Sequence, residues 1–184
     1  MKGEVFNLLE EFISQNFGAE TFEKIYEAVH KNLSTTEPFV GPGTYPDSDF
    51  FTILGSAVGE LKLPLEQAAF EFGRFCFPRL NQKLSGRIQS FETIKDFLRN
   101  LHDVIHVEVK KLMRDAQPPQ FIYQELSPKR IILIYRSKRK LYAFAEGLLH
   151  GAAQHYDTAI DVKRSEIDSE LGTCKFEITF QENF

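Results

Sequence analysis

The chain has 184 residues, 42% hydrophobic and 26% charged, with a net charge of -4. This is the composition of an ordinary globular domain with one sizeable core, and its acidic balance argues against a general nucleic-acid binder, which needs a strongly basic face. No apolar run reaches the roughly 18 residues that a membrane span requires.

The start, Met1-Lys2-Gly3-Glu4, lacks the apolar region of a signal peptide, and Gly3 stands one place too late for myristoylation. Cys76 and Cys174 lie far apart with no CxxC spacing, so a reduced, cytoplasmic setting is expected. The aromatic choice is skewed, with 18 Phe, 6 Tyr and no Trp, which suits either a Phe-packed core or the walls around a large planar ligand.

Val5, Phe6, Leu8, Leu9, Phe12, Ile13 and Phe17 fall at helical spacing, and Gly18 supplies the stop. A second helix is predicted from Ala19 to about Asn32, burying Phe22, Ile25, Tyr26 and Val29. Pro38, Gly41-Pro42-Gly43 and Pro46 then make Ser34 to Asp47 a loop. Asp47 or Ser48 can cap a third helix that runs to about Leu61. Pro64 suits the first turn of a fourth helix, Leu65 to Phe77, which Pro78 should end. Leu80 to Gln89 is polar, with a turn at Ser85-Gly86, and Ser90 can cap a long helix from Phe91 to about Arg114.

After Pro118-Pro119 the period changes from helical to alternating. Strands are predicted near Phe121 to Leu126 and Ile131 to Ser137, joined by a turn at Ser127-Pro128-Lys129. A helix from Leu141 to Tyr156 carries Ala143, Ala145, Gly147, Gly151, Ala152 and Ala153, small enough for a close approach to another helix or to a ligand face. Two further strands, about Ala159 to Ile167 and Cys174 to Phe180, turn at Gly172. Helices first, then a four-stranded antiparallel sheet interrupted by a helix, make the expected class α+β.

Two stretches carry candidate chemistry. On the second strand, alternation places Ile131, Leu133, Tyr135, Ser137 and Arg139 on one side, which begins apolar and ends in two hydroxyls and a guanidinium. Such a set binds carboxylate, although a strand leaving the core with a solvated end has the same pattern. The other stretch is the long helix with His102 and His106, four apart and therefore neighbours. The glutamate of a metalloprotease motif is missing, no cluster completes a zinc site, and either imidazole could be an axial ligand. An imidazole on a mostly apolar helix, followed by an anion-binding strand, suits a flat apolar ligand with a metal centre and carboxylate edges, a description that haem meets. A small basic cluster, Lys129-Arg130 with Arg136 to Lys140, surrounds the same strand.

The chain resembles the H-NOX family, the haem nitric oxide and oxygen binding domains related to the haem domain of soluble guanylate cyclase, and among them the stand-alone bacterial type. The resemblance rests on Met1-Lys2-Gly3, on Asp103-Val104-Ile105-His106, on Pro118-Pro119, on Tyr135, Ser137 and Arg139 as Tyr-x-Ser-x-Arg, and on Glu146-Gly147-Leu148-Leu149-His150-Gly151. It implies one haem-binding domain over residues 1–184, with an N-terminal helical subdomain at about 1–62 and a haem-holding subdomain at about 63–184, the haem b buried between them. It implies His106 as the proximal iron ligand and Tyr135, Ser137 and Arg139 as partners of the haem propionates. Pro119 would press on the porphyrin, and Val5, Leu9, Phe77, Leu80, Phe144 and Leu148 would wall the pocket, leaving His102 structural or on the surface.

Oxygen-holding members have a distal tyrosine where this chain has Phe144, flanked by Tyr142, while Cys76 stands where some members place a polar distal residue. Some bacterial members also carry a Cys/His zinc site, of which only Cys174 is found, preceded by Arg164, Glu166 and Asp168. A sensor of nitric oxide and carbon monoxide that forms no lasting oxygen complex is therefore expected. It should be a monomer and not an enzyme, with no nucleic-acid or membrane partner, signalling through release of the proximal histidine to a histidine kinase or a cyclic-di-GMP enzyme. Two other classes fit the residues: a haem-free α+β module that takes a small apolar carboxylate or a partner helix, and a metallohydrolase using His102 and His106, which lacks further ligands.

Overall fold

Apolar side chains recurring every three or four residues give the first part of the chain its helices. The computed structural model describes residues 1–83, 91–103, 117–168 and 170–181. Helix α1 is Gly3–Phe17 and buries Phe6, Leu8, Leu9, Phe12 and Ile13. Gly18, at φ 96°, ends it by donating its N–H to the Ser14 carbonyl at 3.1 Å. Helix α2, Ala19–Val29, buries Ile25, and one turn of 3-10 helix, His30–Asn32, completes the segment expected to run to Asn32. Helix α3, Asp47–Leu61, buries Phe50, Ile53, Leu54 and Ala57.

The intervening loop folds back on α1, where Phe39 stacks on Phe6 at 4.0 Å and Tyr45 meets the same ring edge-on. Neither Asp47 nor Ser48 caps α3: Pro46 holds the N-cap position without a side-chain bond, and the Asp47 carboxylate accepts from the Met1 amine at 2.7 Å instead.

Helix α4, Leu65–Lys83, does not end at Pro78. A proline inside a helix removes one backbone bond and costs about 3 kcal/mol, and here contacts beyond it offset that cost. Asn81, 7% exposed, bonds the His155 ring at 3.2 Å, while Arg79 lies over the Phe75 ring at 3.4 Å and donates to the Phe75 carbonyl.

Helix α5, described over Ile94–Asp103, starts later than Phe91. Its first turn is closed by Thr93, whose hydroxyl takes the Asp96 N–H at 3.1 Å and donates to the Asp96 carboxylate at 2.7 Å. The remainder of the expected helix, with His106, and the expected turn at Ser85-Gly86 lie outside the described residues.

Strands β1 (Gln120–Ser127) and β2 (Arg130–Arg136), helix α6 (Tyr142–His155) and strands β3 (Ile160–Asp168) and β4 (Thr173–Phe180) follow. They form an antiparallel sheet of order β1-β2-β4-β3. Its inner face, with Ile131, Leu133, Tyr135, Cys174, Phe176 and Ile178, packs with Ile94, Phe97 and Leu98 of α5 and with Ala145, Leu149 and Ala152 of α6. The chain separates into two compact units, Met1–Ala68 and a second that begins at Ala69 and holds the whole sheet.

Candidate functional site

Alternation on β2 buries Ile131, Leu133 and Tyr135, at 0%, 0% and 3% exposure, on the inner face. The strand stops at Arg136, one residue short of the expected end, so Ser137 and Arg139 do not share that face by strand geometry. A turn brings them there instead. Ser137 donates its N–H to the Gly172 carbonyl at 3.0 Å, Lys140 closes back on the Ser137 carbonyl at 3.1 Å, and Arg139 donates its N–H to Ser137 Oγ at 3.3 Å. Gly172 is required at this turn: its φ is +62°, and a Cβ there would stand 2.1 Å from the Ser137 carbonyl oxygen.

The Tyr135 hydroxyl hydrogen-bonds with the Ser137 side chain and the Leu141 backbone, within reach of the Arg139 charge. Burial pushes the phenol above its ordinary value of 10.0, and those two bonds and Arg139 offset only part of the rise, so Tyr135 is a protonated donor at neutral pH. A phenol and a hydroxyl thus meet where a buried strand gives way to a surface turn, with the Arg139 charge near enough to act on the phenol. The donor set fits the carboxylate edge of a group whose body lies in apolar surroundings, which is what haem presents.

The other candidate residues are distributed over both units. Val5 is half-buried and Leu9 is 2% exposed on α1 of the first unit. In the second unit Phe77 packs its ring 5.9 Å from Phe97, and Leu80 is half-buried on the α4 turn beyond Pro78. Phe144 on α6 faces Phe72 of α4 at 5.2 Å, Leu148 packs against the core, and Pro119 is half-buried one residue before β1. His106 lies outside the described residues. His102, at the end of α5, is exposed. The structure therefore joins Tyr135, Ser137 and Arg139 into one cluster and lines the α4–α6 contact with Phe144.

That contact is made by the small residues. A Cβ on Gly73 would come 2.2 Å from the Phe144 carbonyl oxygen, one on Gly147 would come 2.0 Å from that of Phe70, and one on Gly151 would come 2.6 Å from Phe77 Cβ. The partner that the small residues admit is therefore a helix, α4.

Tyr142 points elsewhere. Its ring meets Tyr135 edge-on at 5.8 Å, and its buried hydroxyl has no hydrogen-bond partner. Burial raises this phenol too, helped by the Glu166 charge. Cys76 and Cys174 are both fully buried, and burial pushes the Cys174 thiol up to about 11. Arg164 pairs with Glu146 at 3.4 Å, and among the described residues no group of His, Cys, Asp and Glu could hold a metal ion.

One network escaped the sequence. Lys95, 8% exposed, donates to Glu125 at 2.8 Å and to the Pro128 carbonyl at 2.9 Å, and Arg99 takes the other Glu125 oxygen at 2.8 Å. Together they fasten α5 to β1, the strand that follows Pro119. The spacing of Lys95 and Arg99 on one helix side was legible, but their shared acceptor on a distant strand was not.

A family model described as Haem-NO-binding matches residues 2–164. The chain belongs to the H-NOX family. Solved H-NOX structures agree over its whole length. A triple mutant of the S. oneidensis H-NOX protein in the Fe(II) ligation state is 30% identical, with 100% of this chain and 98% of that one covered and a TM-score of 0.91. The S. oneidensis protein in the Fe(II)NO state is 30% identical over 99% of this chain and 100% of that one, at a TM-score of 0.89. The Shewanella oneidensis domain in the Fe(II)CO state is also 30% identical, with 100% of both chains covered and a TM-score of 0.86. A sequence search of curated proteins gave no match.

Proposed function

We propose that this H-NOX chain is a haem-based gas sensor that holds ferrous haem b through His106, takes nitric oxide and carbon monoxide there, and passes the signal to a separate protein. The observation that carries this is the convergence of Tyr135, Ser137 and Arg139 at the end of β2 in a chain of this family. Relatives held in NO and CO ligation states support the choice of ligands.

When bound, haem supplies a ferrous centre that accepts a diatomic gas. The chain's own residues do the rest. The Tyr135 and Ser137 hydroxyls and the Arg139 guanidinium would hold the propionates, and Pro119 would press on the macrocycle. Val5, Leu9, Phe77, Leu80, Phe144 and Leu148 exclude water around it. His106 would supply a nitrogen ligand to the iron, and loss of that bond on gas binding would bias a two-state element.

Selectivity follows from what the distal candidates lack. Phe144 offers no donor, the Tyr142 ring packs edge-on against Tyr135 of the sheet, and the Cys76 thiol is a weak donor. Dioxygen gathers negative charge when it binds and is retained by a donor, whereas nitric oxide needs one much less.

The chain itself is not an enzyme in this reading. It acts in the bacterial cytoplasm as a monomer, and its effector is a histidine kinase or a cyclic-di-GMP enzyme. Optical spectra of the reduced, purified protein in air, followed by a nitric oxide titration, test the proposal. The expected result is a haem spectrum unaltered by air and shifted by nitric oxide. A stable oxygen complex before any nitric oxide is added would defeat the selectivity, and a colourless protein that takes up no haem would defeat the sensor.

A further inference from the structure

The basic cluster around β2 is absorbed by the candidate site only at Arg139. Its other members flank the outer face of the sheet, whose make-up follows from the register. Ile122 pairs with Ile134 and Ile134 with Lys175, while Gln124 pairs with Ile132, Ile132 with Glu177 and Glu177 with Lys163. Alternation turns all of these away from the face that Leu133 and Phe176 bury against α5 and α6.

The β1–β2 half of the outer face is therefore aliphatic, and the β4–β3 half is charged. Ile122 is 56% exposed, with Ile132 and Ile134 half-buried beside it, and Leu126 at the bulge of β1 is 44% exposed. Lys129 and Arg130 stand exposed at one end of β2, and Arg136, Lys138 and Lys140 at the other. With Lys163 and Lys175 these make seven cations, against the carboxylates of Asp161, Asp168, Glu170 and Glu177, on a chain whose net charge is -4. Glu177 is engaged by Arg130 and lies 4.0 Å from the Lys175 amine, and Asp168 accepts from the Glu170 and Leu171 N–H groups.

We propose that this outer sheet face docks a protein partner whose own surface has an apolar centre flanked by acidic side chains. The proposal rests on the sensor passing its signal to a separate polypeptide, and it names where and with what chemistry. Exposed aliphatic side chains inside an Arg- and Lys-bearing rim are the make-up of a protein interface, where the centre is desolvated and the rim steers the approach. A nucleic acid would lay phosphates over Ile122, Ile132 and Ile134 and over Glu177. An anionic membrane would meet only two exposed aliphatics and no amphipathic helix.

The test uses the haem-loaded protein and two variants, Ile122→Glu and Lys175→Glu, immobilised in a lysate of the source organism. A protein kept by the wild type is identified, purified and titrated against all three. The expected result is a Kd raised at least tenfold by Ile122→Glu. Lys175→Glu should slow association and flatten its salt dependence, and replacing acidic residues of the partner with Lys should restore binding to that variant. Both positions face solvent, and unchanged unfolding midpoints and haem spectra confirm that each variant is folded.

Binding of both variants within twofold of the wild type would overturn the proposal, as would failure of the wild type to keep any protein that the variants lose. Retention of duplex DNA or of anionic phosphatidylglycerol vesicles, run as separate probes, in place of a protein would overturn it too. Docking that persists while the wild-type haem ignores nitric oxide would support the face and count instead against gas sensing.

Discussion

Three side chains at the end of β2 set what the candidate site can hold. Tyr135 arrives there by strand alternation, which could be read directly from Ile131-Ile132-Leu133-Ile134-Tyr135. Ser137 and Arg139 arrive by a turn that depends on the positive φ of Gly172, thirty-odd residues away, and no local pattern announces that contact. The residue types were legible, but the geometry that gathers them was not. A hydrogen bond to a charged group contributes about 1.5–3 kcal/mol, so Arg139→Ala should speed haem loss to a scavenger protein by roughly one to two orders of magnitude. Arg139→Lys should recover only part of that, because a point charge does not reproduce the planar fork. Equal loss rates for the wild type and both variants would remove Arg139 from the site.

Glycines at the α4–α6 contact separate packing from intrinsic helix preference. Gly147→Ala drives a Cβ to 2.0 Å from a backbone oxygen of Phe70, and the helices must part. Such overpacking typically costs about 1–3 kcal/mol, visible as a lower urea midpoint with an unchanged slope. Gly55→Ala in α3 meets nothing within 4 Å and should instead stabilise by about 0.5–1 kcal/mol, since glycine in a helix interior is entropically costly. A stabilised Gly147→Ala would refute the close contact.

The clamp between α5 and β1 predicts a pH dependence. Hydrogen bonds from Lys95 and then Arg99 hold the Glu125 carboxyl below its ordinary value of 4.5. A carboxyl depressed in the folded state stabilises above its unfolded value and loses that contribution as the pH falls through its folded value. Urea midpoints of the wild type and Glu125→Gln should therefore differ at pH 7 and converge as the pH drops below 4.5. A gap that stays constant across that window would mean that the clamp does not titrate.

Element boundaries follow the same division between local and distant causes. The bounds of α1 and α3 were legible because apolar spacing and breakers agree, whereas α4 runs past Pro78 because Asn81 bonds the distant His155 and Arg79 reaches back over the proline to Phe75. Helix α5 starts at Ile94, closed by Thr93, because the threonine has an aspartate three residues on, a pattern present in the sequence but outweighed there by the earlier serine.

At the scale of the molecule, composition limited the outcome to one modest globular chain, and the change of period after Pro119 divided helices from sheet. The fold matches solved H-NOX proteins over its whole length. Composition, however, cannot say which imidazole meets a metal: the apolar stripe of the long helix left His102 and His106 undecided, and choosing His106 drew on the family resemblance. Resonance Raman spectra of the ferrous protein and of His106→Gly reconstituted with haem address this most directly. The expected result is an iron–histidine stretch in the wild type that is absent from His106→Gly and restored by added imidazole. The same stretch persisting in His106→Gly without imidazole would contradict the assignment of His106 as the axial ligand.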